Sequence, residues 1–322
     1  MKRAFVTGGS GFVGGRVIAE LVDRKIEVVA MARSDRAMKT VENLGAKAAR
    51  GDLDDVAAMT AAMKGADVVI HAAAHTAEHG PLADFLRVTV KGTENALEAA
   101  RAAKVARFVH VSSEAVLADG APIVRADETK PRPKNPAGPY PLSKGLAEEK
   151  VIAANGDGLD AVIVRQRFIW GEGDTSLIPK FLEVIRKGKF AWIGGGHYAS
   201  STCHIDNAVE GILLAAEKGK GGEIYFLTDG EPVDFRNFMT DLVAAYGLDA
   251  GKRSVPRWLA RTTATLTSWM SEPPVTKTAI ALVGQEVTVI DAKARRDLGY
   301  TSHVSRDEGI AEIRAAEAPP SA

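Results

Sequence analysis

The chain has 322 residues, of which 46% are hydrophobic and 25% are charged. This composition excludes a disordered or collagen-like chain, and the length suggests two domains or one large domain with a lobe. The 41 Lys and Arg balance the 41 Asp and Glu, which argues against nucleic-acid binding because phosphate contacts need a basic excess. The single cysteine, Cys203, fits a reducing compartment, and no apolar run reaches the length of a membrane span. We therefore expect a cytoplasmic protein without an integral membrane span.

Strand-like and helix-like segments alternate through the N-terminal half of the chain. Strands that are buried on both faces of a sheet are continuous apolar runs, and their alternation with Ala- and Leu-rich helices predicts parallel βαβ units. The predicted strands are Ala4–Thr7, Glu27–Met31, Asp67–His71, Phe108–Ser112 and Ala161–Val164. We therefore predict an α/β fold with a doubly wound parallel sheet, in which residues 1–170 form one domain.

The regular alternation weakens after Gly171. The segment Asp119–Pro139 is rich in proline and charge and predicts a long loop. Residues 203–228 contain a helix-like and a strand-like stretch, Val209–Ala216 and Ile224–Thr228, so we assign them to the sheet domain as well. The other residues of 171–322 are expected to form mainly a smaller C-terminal lobe that binds substrate.

One segment of this lobe, Trp258–Met270, admits two interpretations. Its apolar residues are spaced as on one side of a helix. Such a helix either packs on the core of the lobe or lies at a membrane interface. We favour packing on the core.

The first predicted strand runs into a glycine-rich turn, Thr7-Gly8-Gly9-Ser10-Gly11-Phe12-Val13-Gly14, which opens the first helix. Glycines spaced by threes allow a tight turn, close backbone approach to a pyrophosphate and close packing of helix against strand. The N-terminus of the helix offers free N–H groups to the phosphate. The order of strand, glycines and helix predicts that these eight residues bind a dinucleotide.

The end of the second strand bears on the choice of coenzyme. An acidic side chain at this point would accept hydrogen bonds from the 2′-hydroxyl of the adenosine ribose, but the sequence has Ala32 there, followed by Arg33 and Ser34. A guanidinium and a hydroxyl suit a 2′-phosphate instead. The pattern favours NADP, and the alternative is NAD with Asp35 or another group serving the ribose.

Two further segments are candidates for contact with the coenzyme. Asp52, before Leu53, follows the third strand-like stretch, and its carboxylate suits the adenine amino group or the N-cap of the next helix. The fourth strand ends in His71 and three alanines, Ala72, Ala73 and Ala74. Side chains this small leave room for a flat coenzyme against the edge of the sheet.

Tyr140 and Lys144 are spaced as Tyr-x-x-x-Lys, so on a helix their side chains share a face. A tyrosine with a pKa near ~10 is a poor base at neutral pH. We expect the ammonium of Lys144 and the positive nicotinamide ring to favour the phenolate, so that Tyr140 exchanges a proton with a substrate alcohol or ketone. The strand at Phe108–Ser112 leads into Ser113, and a hydroxyl at this edge suits the reacting oxygen, although capping the next turn is the alternative.

The chain resembles an extended short-chain dehydrogenase/reductase, of the NAD-dependent epimerase/dehydratase superfamily. The segments that carry the resemblance are Thr7–Gly14, His71–Ala74, Ser112-Ser113, the Tyr140/Lys144 pair and Ala294–Tyr300. It is most similar to the branch of 3β-hydroxysteroid dehydrogenases and dihydroflavonol reductases. The resemblance implies a Rossmann-type sheet that binds a nicotinamide coenzyme, and coenzyme contacts also at Leu53, Val111, Ser112 and Phe168.

The resemblance also implies three catalytic roles. Tyr140 is the acid/base, Lys144 binds the nicotinamide ribose and tunes Tyr140, and Ser113, rather than Ser112, orients the substrate oxygen. The reaction implied is the interconversion of a secondary alcohol and a ketone on an apolar molecule that is steroid-like, flavonoid-like or acyl-derived.

Three departures from the family pattern stand out. Thr89 occupies the place where the family often has Asn before a Val-x-Gly-Thr run, and Arg165-Gln166-Arg167 replaces a common Arg-Pro. Nucleotide-sugar enzymes commonly carry Arg-Asp before a His-Val-Asp-like segment, whereas here Ser200-Ser201-Thr202-Cys203 precedes His204-Ile205-Asp206-Asn207. The loss of that Arg removes a diphosphate contact and weakens a nucleotide-sugar interpretation.

Two other functions stay open. One is a nucleotide-sugar epimerase or dehydratase with tightly bound NAD, and the other is a non-catalytic NADP-binding redox sensor. His71, His75 and His79 are spaced by fours, but His71 belongs to a strand, so we predict no metal site. We expect a small-molecule substrate and a homodimer, since helices on one sheet face can pair about a two-fold axis.

Overall fold

The computed structural model describes residues 1–77, 79–270 and 273–318, and a seven-stranded parallel sheet lies at its centre. The strands are β1 (Arg3–Thr7), β2 (Glu27–Ala32), β3 (Lys47–Arg50), β4 (Val68–His71), β5 (Arg107–Ser113), β6 (Asp160–Gln166) and β7 (Ile224–Leu227). Their spatial order is β7-β6-β5-β4-β1-β2-β3, and every neighbouring pair is parallel. The strand order reverses between β1 and β4, which is where doubly wound sheets bind ligands. The predicted Rossmann-type fold is confirmed.

Helices cover both faces of this sheet and build the rest of the chain. They are α1 (Phe12–Asp23), α2 (Asp35–Asn43), α3 (Val56–Met63), α4 (Leu82–Phe85), α5 (Gly92–Ala102), α6 (Pro139–Ala154), α7 (Ile178–Arg186), α8 (Ile205–Lys218), α9 (Phe235–Ala245), α10 (Arg257–Leu266), α11 (Lys277–Val283), α12 (Ala292–Leu298) and α13 (Arg306–Glu317). A π-helical turn at Leu86–Lys91 joins α4 to α5, and a 3₁₀ turn at Glu114–Leu117 follows β5. Among the described residues, no helix combines the length and hydropathy needed to cross a bilayer.

Alternate residues of each strand serve opposite faces of the sheet, as a parallel sheet buried on both sides requires. On β1, Val6 belongs to the apolar cluster formed with α1, α8 and α12, whereas Phe5 belongs to the cluster formed with α3, α5 and α6. Both residues are fully buried. The two clusters fix the sheet between helical layers and hold the carboxyl ends of its strands at one common edge.

The predicted long loop at Asp119–Pro139 is wrong in one part. Ile123–Ala126 is a strand that pairs in parallel with Val287–Val289, inside a small sheet that also contains Ala199–Ser200 and Val233–Asp234. Its four residues are too few for a pattern to appear in the sequence. Its partner also lies about 160 residues further on, so no local signal points to the pairing.

An aromatic cluster fills the C-terminal lobe. It is built from buried rings of several segments, Phe168, Trp170, Trp192, Phe235 and Phe238. Two short parallel pairs connect these segments, Ile169–Trp170 with Cys203–His204 and Trp192–Ile193 with Ser254–Val255. All strands of the large sheet come from residues 3–166 and 224–227, which supports our proposal that residues 1–170 and 203–228 form one domain and 171–322 mainly the lobe.

Candidate active site

A cleft of about 1130 Å³ follows the carboxyl edge of the large sheet. One end is lined by the glycine turn, the ends of β2 and β4 and the start of α2. The other end is lined by the segment after β6, by α7 and by α11. Ser113 and Tyr140 lie between them. We call the two parts the glycine end and the lobe end of the cleft.

Close backbone contacts explain the glycines of the turn. Gly8 has φ +72°, and a Cβ there would lie 2.8 Å from the backbone of both Ala72 and Ala73. A Cβ on Gly14 would lie 2.3 Å from the carbonyl oxygen of Gly8. Gly11, the N-cap of α1, provides no side-chain cap, and the first turn of α1 has no acidic residue. The helix N-terminus therefore offers N–H donors to an anion.

Seven of the eight residues predicted in the turn line the cleft. These are Thr7, Gly8, Ser10, Gly11, Phe12, Val13 and Gly14. Gly9 faces the helix instead, since a Cβ there would lie 2.5 Å from Cδ1 of Ile18. The absence of a side chain at Gly9 lets α1 pack closely on the turn.

At the far side of the glycine end, the structure brings basic groups together after β2. Arg33 is exposed and its Nη1 lies 3.9 Å from Oδ2 of Asp52. Ser34 caps α2 by accepting a hydrogen bond from the N–H of Ala37 at 3.2 Å. Arg36 also lines the cleft, although its sequence context gave no signal. Asp35, the alternative ribose ligand, does not line the cleft and pairs with Arg50.

Asp52 and Leu53 line the cleft in the loop after β3. The Asp52 carboxylate accepts a hydrogen bond from the N–H of Leu53 at 2.7 Å. The interpretation of Asp52 as a helix cap is wrong, because the N-cap of α3 is Asp55, which accepts from Ala58 at 2.9 Å. Asp52 is a half-exposed carboxylate facing the cleft, and Asn95 fixes its loop by donating to the carbonyl of Leu53.

A buried hydrogen-bond chain holds the end of β4 against the glycine turn. The Thr7 hydroxyl lies 2.8 Å from Nδ1 of His71, and Nε2 of His71 lies 3.0 Å from the hydroxyl of Thr93. Thr93 donates its own proton to the carbonyl of Thr89, so it accepts from His71, and His71 is the neutral Nε2–H tautomer. Burial, with a smaller effect of Lys144, lowers the pKa of His71 to about 3.

This chain also explains two further features of the sequence. Ala72, Ala73 and Ala74 line the cleft directly after His71, and the N–H of Ala73 donates to Thr7. Thr89, at the place of the family Asn, is fully buried and accepts a hydrogen bond from the N–H of His75 at 3.0 Å. Thr89 therefore fixes the loop that follows β4 by this hydrogen bond.

Tyr140 and Lys144 lie one turn apart at the start of α6, as predicted. The ammonium of Lys144 donates to the carbonyl of Val111 at 2.6 Å and is buried. Lys144 and Val111 do not line the cleft themselves. They form the layer below it, where the ammonium is aligned by the backbone of β5.

Burial dominates the electrostatics of the pair. Burial, and next the charge of Glu114, raise the pKa of Tyr140 to about 12, against the effect of a hydrogen bond with Ser113. Lys144 is not among the groups that shift the phenol, and burial lowers its own pKa to about 8. The expectation that Lys144 and a bound nicotinamide ring together favour the phenolate stays a prediction, and spacing along a helix does not reveal the burial that opposes it. Tyr140 is a protonated phenol at neutral pH and can donate a proton.

Ser113 connects Tyr140 to a buried ion pair that the sequence did not reveal. Its hydroxyl donates to Oε2 of Glu114 at 2.7 Å and accepts from the N–H of Ala115 at 3.2 Å. Oε1 of Glu114 lies 3.4 Å from Nε of Arg167, and both side chains are almost fully buried. Burial raises the pKa of Glu114 although Arg167 opposes this. Glu114 and Arg167 also line the cleft.

Ser112 touches the cleft but its hydroxyl is used elsewhere. It donates to Oε1 of Glu148 at 2.6 Å, and Glu148 forms a fully buried bidentate pair with Arg165 at 2.9 and 2.7 Å. This network ties the ends of β5 and β6 to α6. Ser112 therefore positions the catalytic helix, and its hydroxyl is not directed to a ligand.

The lobe end of the cleft is lined by large apolar side chains together with polar ones, among them Lys180 and Thr278. Phe168, predicted at this place, lines it with Leu177, Phe181, Leu282 and Val283. Phe168 has φ +45°, a strained conformation for an aromatic residue, and its ring is held edge-on by Phe235 and Phe238. Only the position of Phe168 was predicted, since α7 and α11 have no motif that marks them as walls of a site.

One buried amide faces the cleft without a partner. Both the oxygen and the nitrogen of the Gln166 side chain are buried and lack hydrogen bonds within the described residues, and Gln166 lines the cleft beside its register neighbour Ser113. An unpaired buried amide is costly. A bound molecule that hydrogen-bonds this group would remove that cost.

Two other sequence candidates lie apart from this chemistry. Cys203 is fully buried and burial raises its pKa well above the usual value, which describes an inert thiol. Among the described residues, His204, Asp206 and Glu312 are close enough to share a cation. Both carboxylate oxygens of Asp206, however, already accept hydrogen bonds from Arg16, and a guanidinium at that distance repels a metal ion.

Comparisons with known proteins agree with this site. Residues 5–257 match the model of the 3-beta hydroxysteroid dehydrogenase/isomerase family. The chain is 46% identical, over 98% of its length and 96% of the relative's, to a 4-hydroxy-2-methyl-3-oxo-4-farnesyl-3,4-dihydroquinoline-1-oxide ketoreductase of Stigmatella aurantiaca. It is 32% identical, over 97% of its length and all of the relative's, to a decarboxylating sterol-4-alpha-carboxylate 3-dehydrogenase of Dictyostelium discoideum.

A solved structure with the same fold is a dTDP-glucose 4,6-dehydratase double mutant of Streptomyces venezuelae with NAD bound. Its TM-score is 0.76 at 24% identity, over 97% of this chain and 96% of that one. This likeness concerns the fold alone, whereas the sequence relatives are dehydrogenases and reductases of hydroxyl and keto groups. The chain therefore belongs to the 3-beta hydroxysteroid dehydrogenase/isomerase family of extended short-chain dehydrogenases/reductases, and it is a dehydrogenase/reductase that acts on CH–OH or keto groups.

Proposed function

We propose that the chain is an NADPH-dependent ketoreductase that acts on a bulky apolar ketone. The observation that carries this proposal is the position of a protonated phenol. Tyr140 lies where the glycine end of the cleft meets its apolar lobe end, and its pKa of about 12 keeps the phenol protonated at neutral pH. A group in that state serves as the acid of a reduction.

The glycine end fits a nicotinamide dinucleotide. Gly8 and Gly14 allow the tight turn that holds the N-terminus of α1 at the cleft, and this N-terminus offers N–H donors to a pyrophosphate. We propose that Arg33 and Arg36 bind the 2′-phosphate of NADP, because both line the cleft after β2, whereas the acidic Asp35 is paired with Arg50. The solved dehydratase structure with the same fold has NAD bound, so a fold of this kind accommodates a nicotinamide dinucleotide.

The proton transfer follows from the groups at the junction. A reduced nicotinamide held at the glycine end would supply the hydride for the carbonyl carbon. The phenol of Tyr140 would give its proton to the carbonyl oxygen, so that the ketone would become an alcohol. We propose that the hydroxyl of Ser113, which donates to Glu114 in the structure, orients the substrate oxygen next to the phenol when a ketone is bound. Lys144 is held below the cleft by the carbonyl of Val111, and the family resemblance supports our proposal that its ammonium reaches the ribose and tunes Tyr140 when the coenzyme is bound.

The substrate class follows from the lobe end. Its walls are aromatic and aliphatic, with Phe168, Phe181 and Leu282 among them, and such a surface suits an apolar molecule of steroid, flavonoid or acyl type. The relative from Stigmatella aurantiaca reduces, by its name, a ketone that carries a farnesyl group. We therefore propose a ketone with a long or fused hydrocarbon part.

A turnover screen tests this function. NADPH and NADH are offered with ketosteroids, flavonoid ketones, long-chain aliphatic ketones and nucleotide sugars, and coenzyme oxidation is followed by absorbance. We expect NADPH oxidation with apolar ketones. Conversion of nucleotide sugars without net coenzyme oxidation would instead indicate an epimerase or dehydratase, and binding of NADPH without turnover on the whole panel would indicate a redox sensor.

The nucleotide-sugar alternative has little support in the site. The segment before His204, where those enzymes commonly carry Arg-Asp, has no Arg here, and its Thr202 is fully buried, with its hydroxyl donating to Asp229 at 2.8 Å. Arg167, a cation of the lobe end, is held by Glu114, Ser200 and the carbonyl of Leu282. Neither residue offers a diphosphate an uncommitted charge.

A further inference from the structure

The helix α10 presents its large apolar side chains to solvent and its small ones to the protein. Ala260 and Ala264 are buried against Ile280 of α11. On the opposite side Trp258 is 68% exposed and Leu266 is 68% exposed, and Trp269 in the turn after α10 is 82% exposed. Amphipathic helices of globular proteins have the reverse arrangement, and these are the most exposed large apolar side chains among the described residues.

The exposed apolar residues form one stripe. Trp258, Leu266 and Trp269 are separated by eight and three positions, so they follow one side of the helix and the turn that continues it. Leu259 flanks the stripe and is also exposed. We call Trp258, Leu259, Leu266 and Trp269 the tryptophan stripe.

The polar groups within the tryptophan stripe have hydrogen-bond partners inside the helix. The hydroxyl of Thr262 donates to the carbonyl of Trp258 and that of Thr265 to the carbonyl of Arg261, both at 3.0 Å. The indole N–H of Trp269 donates to the carbonyl of Leu266 at 2.9 Å. Burying this surface therefore leaves few polar groups without a hydrogen-bond partner, and the free-energy cost of its desolvation is small.

The stretch of sequence around the tryptophan stripe is basic, although the whole chain has no net charge. Residues 251–270 contain Lys252, Arg253, Arg257 and Arg261 and no acidic residue, and Asp249 and Glu272 flank the stretch. Arg257 and Arg261 donate to the carbonyls of Gly284 and Gly120, which leaves their charge uncompensated. No carboxylate of the described residues forms an ion pair with any of the four.

We propose that the tryptophan stripe docks this protein on the surface of an anionic lipid bilayer. Tryptophan and leucine enter the interfacial region of a bilayer, and flanking Lys and Arg bind anionic headgroups. The charge argues against a second copy of the chain as the occupant, because a two-fold contact would bring two sets of four cations together. A lipid surface supplies both the apolar and the negative partner.

The position of α10 connects this surface to the cleft. The helix α11 packs on α10 through Ile280, whereas Thr278, Leu282 and Val283 of the same helix line the lobe end of the cleft. Docking would therefore bring the lobe end of the cleft close to the bilayer, with α10 and α11 between them.

Vesicle binding tests the docking surface without any turnover, so its outcome is independent of the proposed reaction. The full chain is sedimented with phosphatidylcholine vesicles and with vesicles containing about one-third phosphatidylglycerol. We expect binding to the anionic vesicles. The double variant Trp258→Ser/Trp269→Ser should weaken binding about tenfold or more, whereas Val124→Ser, at another exposed aliphatic position, should not change it.

A charge variant and a spectroscopic readout keep the test independent of folding. Lys252→Gln/Arg253→Gln leaves the tryptophan stripe intact and should weaken binding to anionic vesicles selectively. The chain has four tryptophans, of which Trp170 and Trp192 are buried, so brominated lipids should quench only the emission of Trp258 and Trp269. Absence of wild-type vesicle binding, or equal binding by the Trp double variant, would overturn the proposal. Self-association that the Trp variant abolishes, without vesicle binding, would show a second copy as the occupant.

Discussion

The two ends of the cleft are lined by different kinds of chemical group. At the glycine end the chain presents backbone, alanines and a helix N-terminus, with Arg33 and Arg36 at its rim. At the lobe end it presents large side chains, of which Phe168 and Phe181 are aromatic. Backbone donors recognise any phosphate in the right place, whereas a wall of side chains selects by shape. We infer that the first end defines the class of reaction and the second the individual substrate.

The junction of the two ends differs from both, because its groups are charged and buried. Glu114 and Arg167 pair there, and Glu114 orders Ser113 next to Tyr140. Removing one partner of such a pair would leave an uncompensated charge, at a cost of about 3–5 kcal/mol. The proton donor is thus held between a polar and an apolar region by an ion pair that neither the coenzyme nor the substrate has to complete.

The largest expected effect is at the junction itself. Tyr140→Phe removes the only proton of the phenol, and we expect kcat for ketone reduction to fall about 10²–10⁴-fold. Binding of NADPH, measured by fluorescence titration, should stay within about twofold, since the glycine end is unchanged. Tyr246→Phe, on a tyrosine outside the cleft, serves as the control. Retained turnover in the Tyr140 variant would reject the assigned role.

The next largest expected effect is a loss of affinity for NADPH but not for NADH. Arg33→Ala/Arg36→Ala removes charge-assisted hydrogen bonds to a 2′-phosphate, so NADPH affinity should fall about 10–100-fold while NADH affinity stays unchanged. Arg314→Ala on α13, remote from the cleft, is the matched control. Equal losses for both coenzymes would remove the argument for NADP.

A smaller effect belongs to the lobe end. Phe181→Ala enlarges one wall of the substrate site, and we expect KM for an apolar ketone to rise about tenfold, with unchanged NADPH affinity. Steady-state kinetics at saturating NADPH measure this directly. A change in NADPH affinity instead would mean that the two ends are not independent.

The smallest effect is a pH dependence of coenzyme binding. The pKa of Lys144 is lowered to about 8 by burial, so its ammonium is present below that pH and is lost as pH rises through it. Affinity for NADPH should therefore weaken several-fold from pH 7 to pH 9, and Lys144→Met should abolish the dependence. The phenol of Tyr140, with its pKa of about 12, does not titrate in this range. A profile that is flat in the wild type would contradict the contact between Lys144 and the coenzyme.

Sequence reasoning succeeded where a site is built from neighbouring residues. The glycine turn and the Tyr140/Lys144 spacing lie within single segments, so their periodicity was enough to place them. The sequence did not reveal the roles of Glu114, Arg167 and Phe181, because these residues meet only through the tertiary fold. It did not reveal the strand at Ile123–Ala126 either, because the partner of that strand is distant in the chain. Spacing also did not show that burial raises the pKa of Tyr140.

The buried thiol of Cys203 makes this chain convenient for site-directed spectroscopy. It is the single cysteine of the sequence and it is fully buried with a raised pKa, so maleimide and nitroxide reagents will leave the native fold unlabelled. A cysteine introduced by Leu266→Cys would then carry the sole dye or spin label, with no prior removal of native cysteines. Depth and distance measurements on the lobe can begin from the natural sequence.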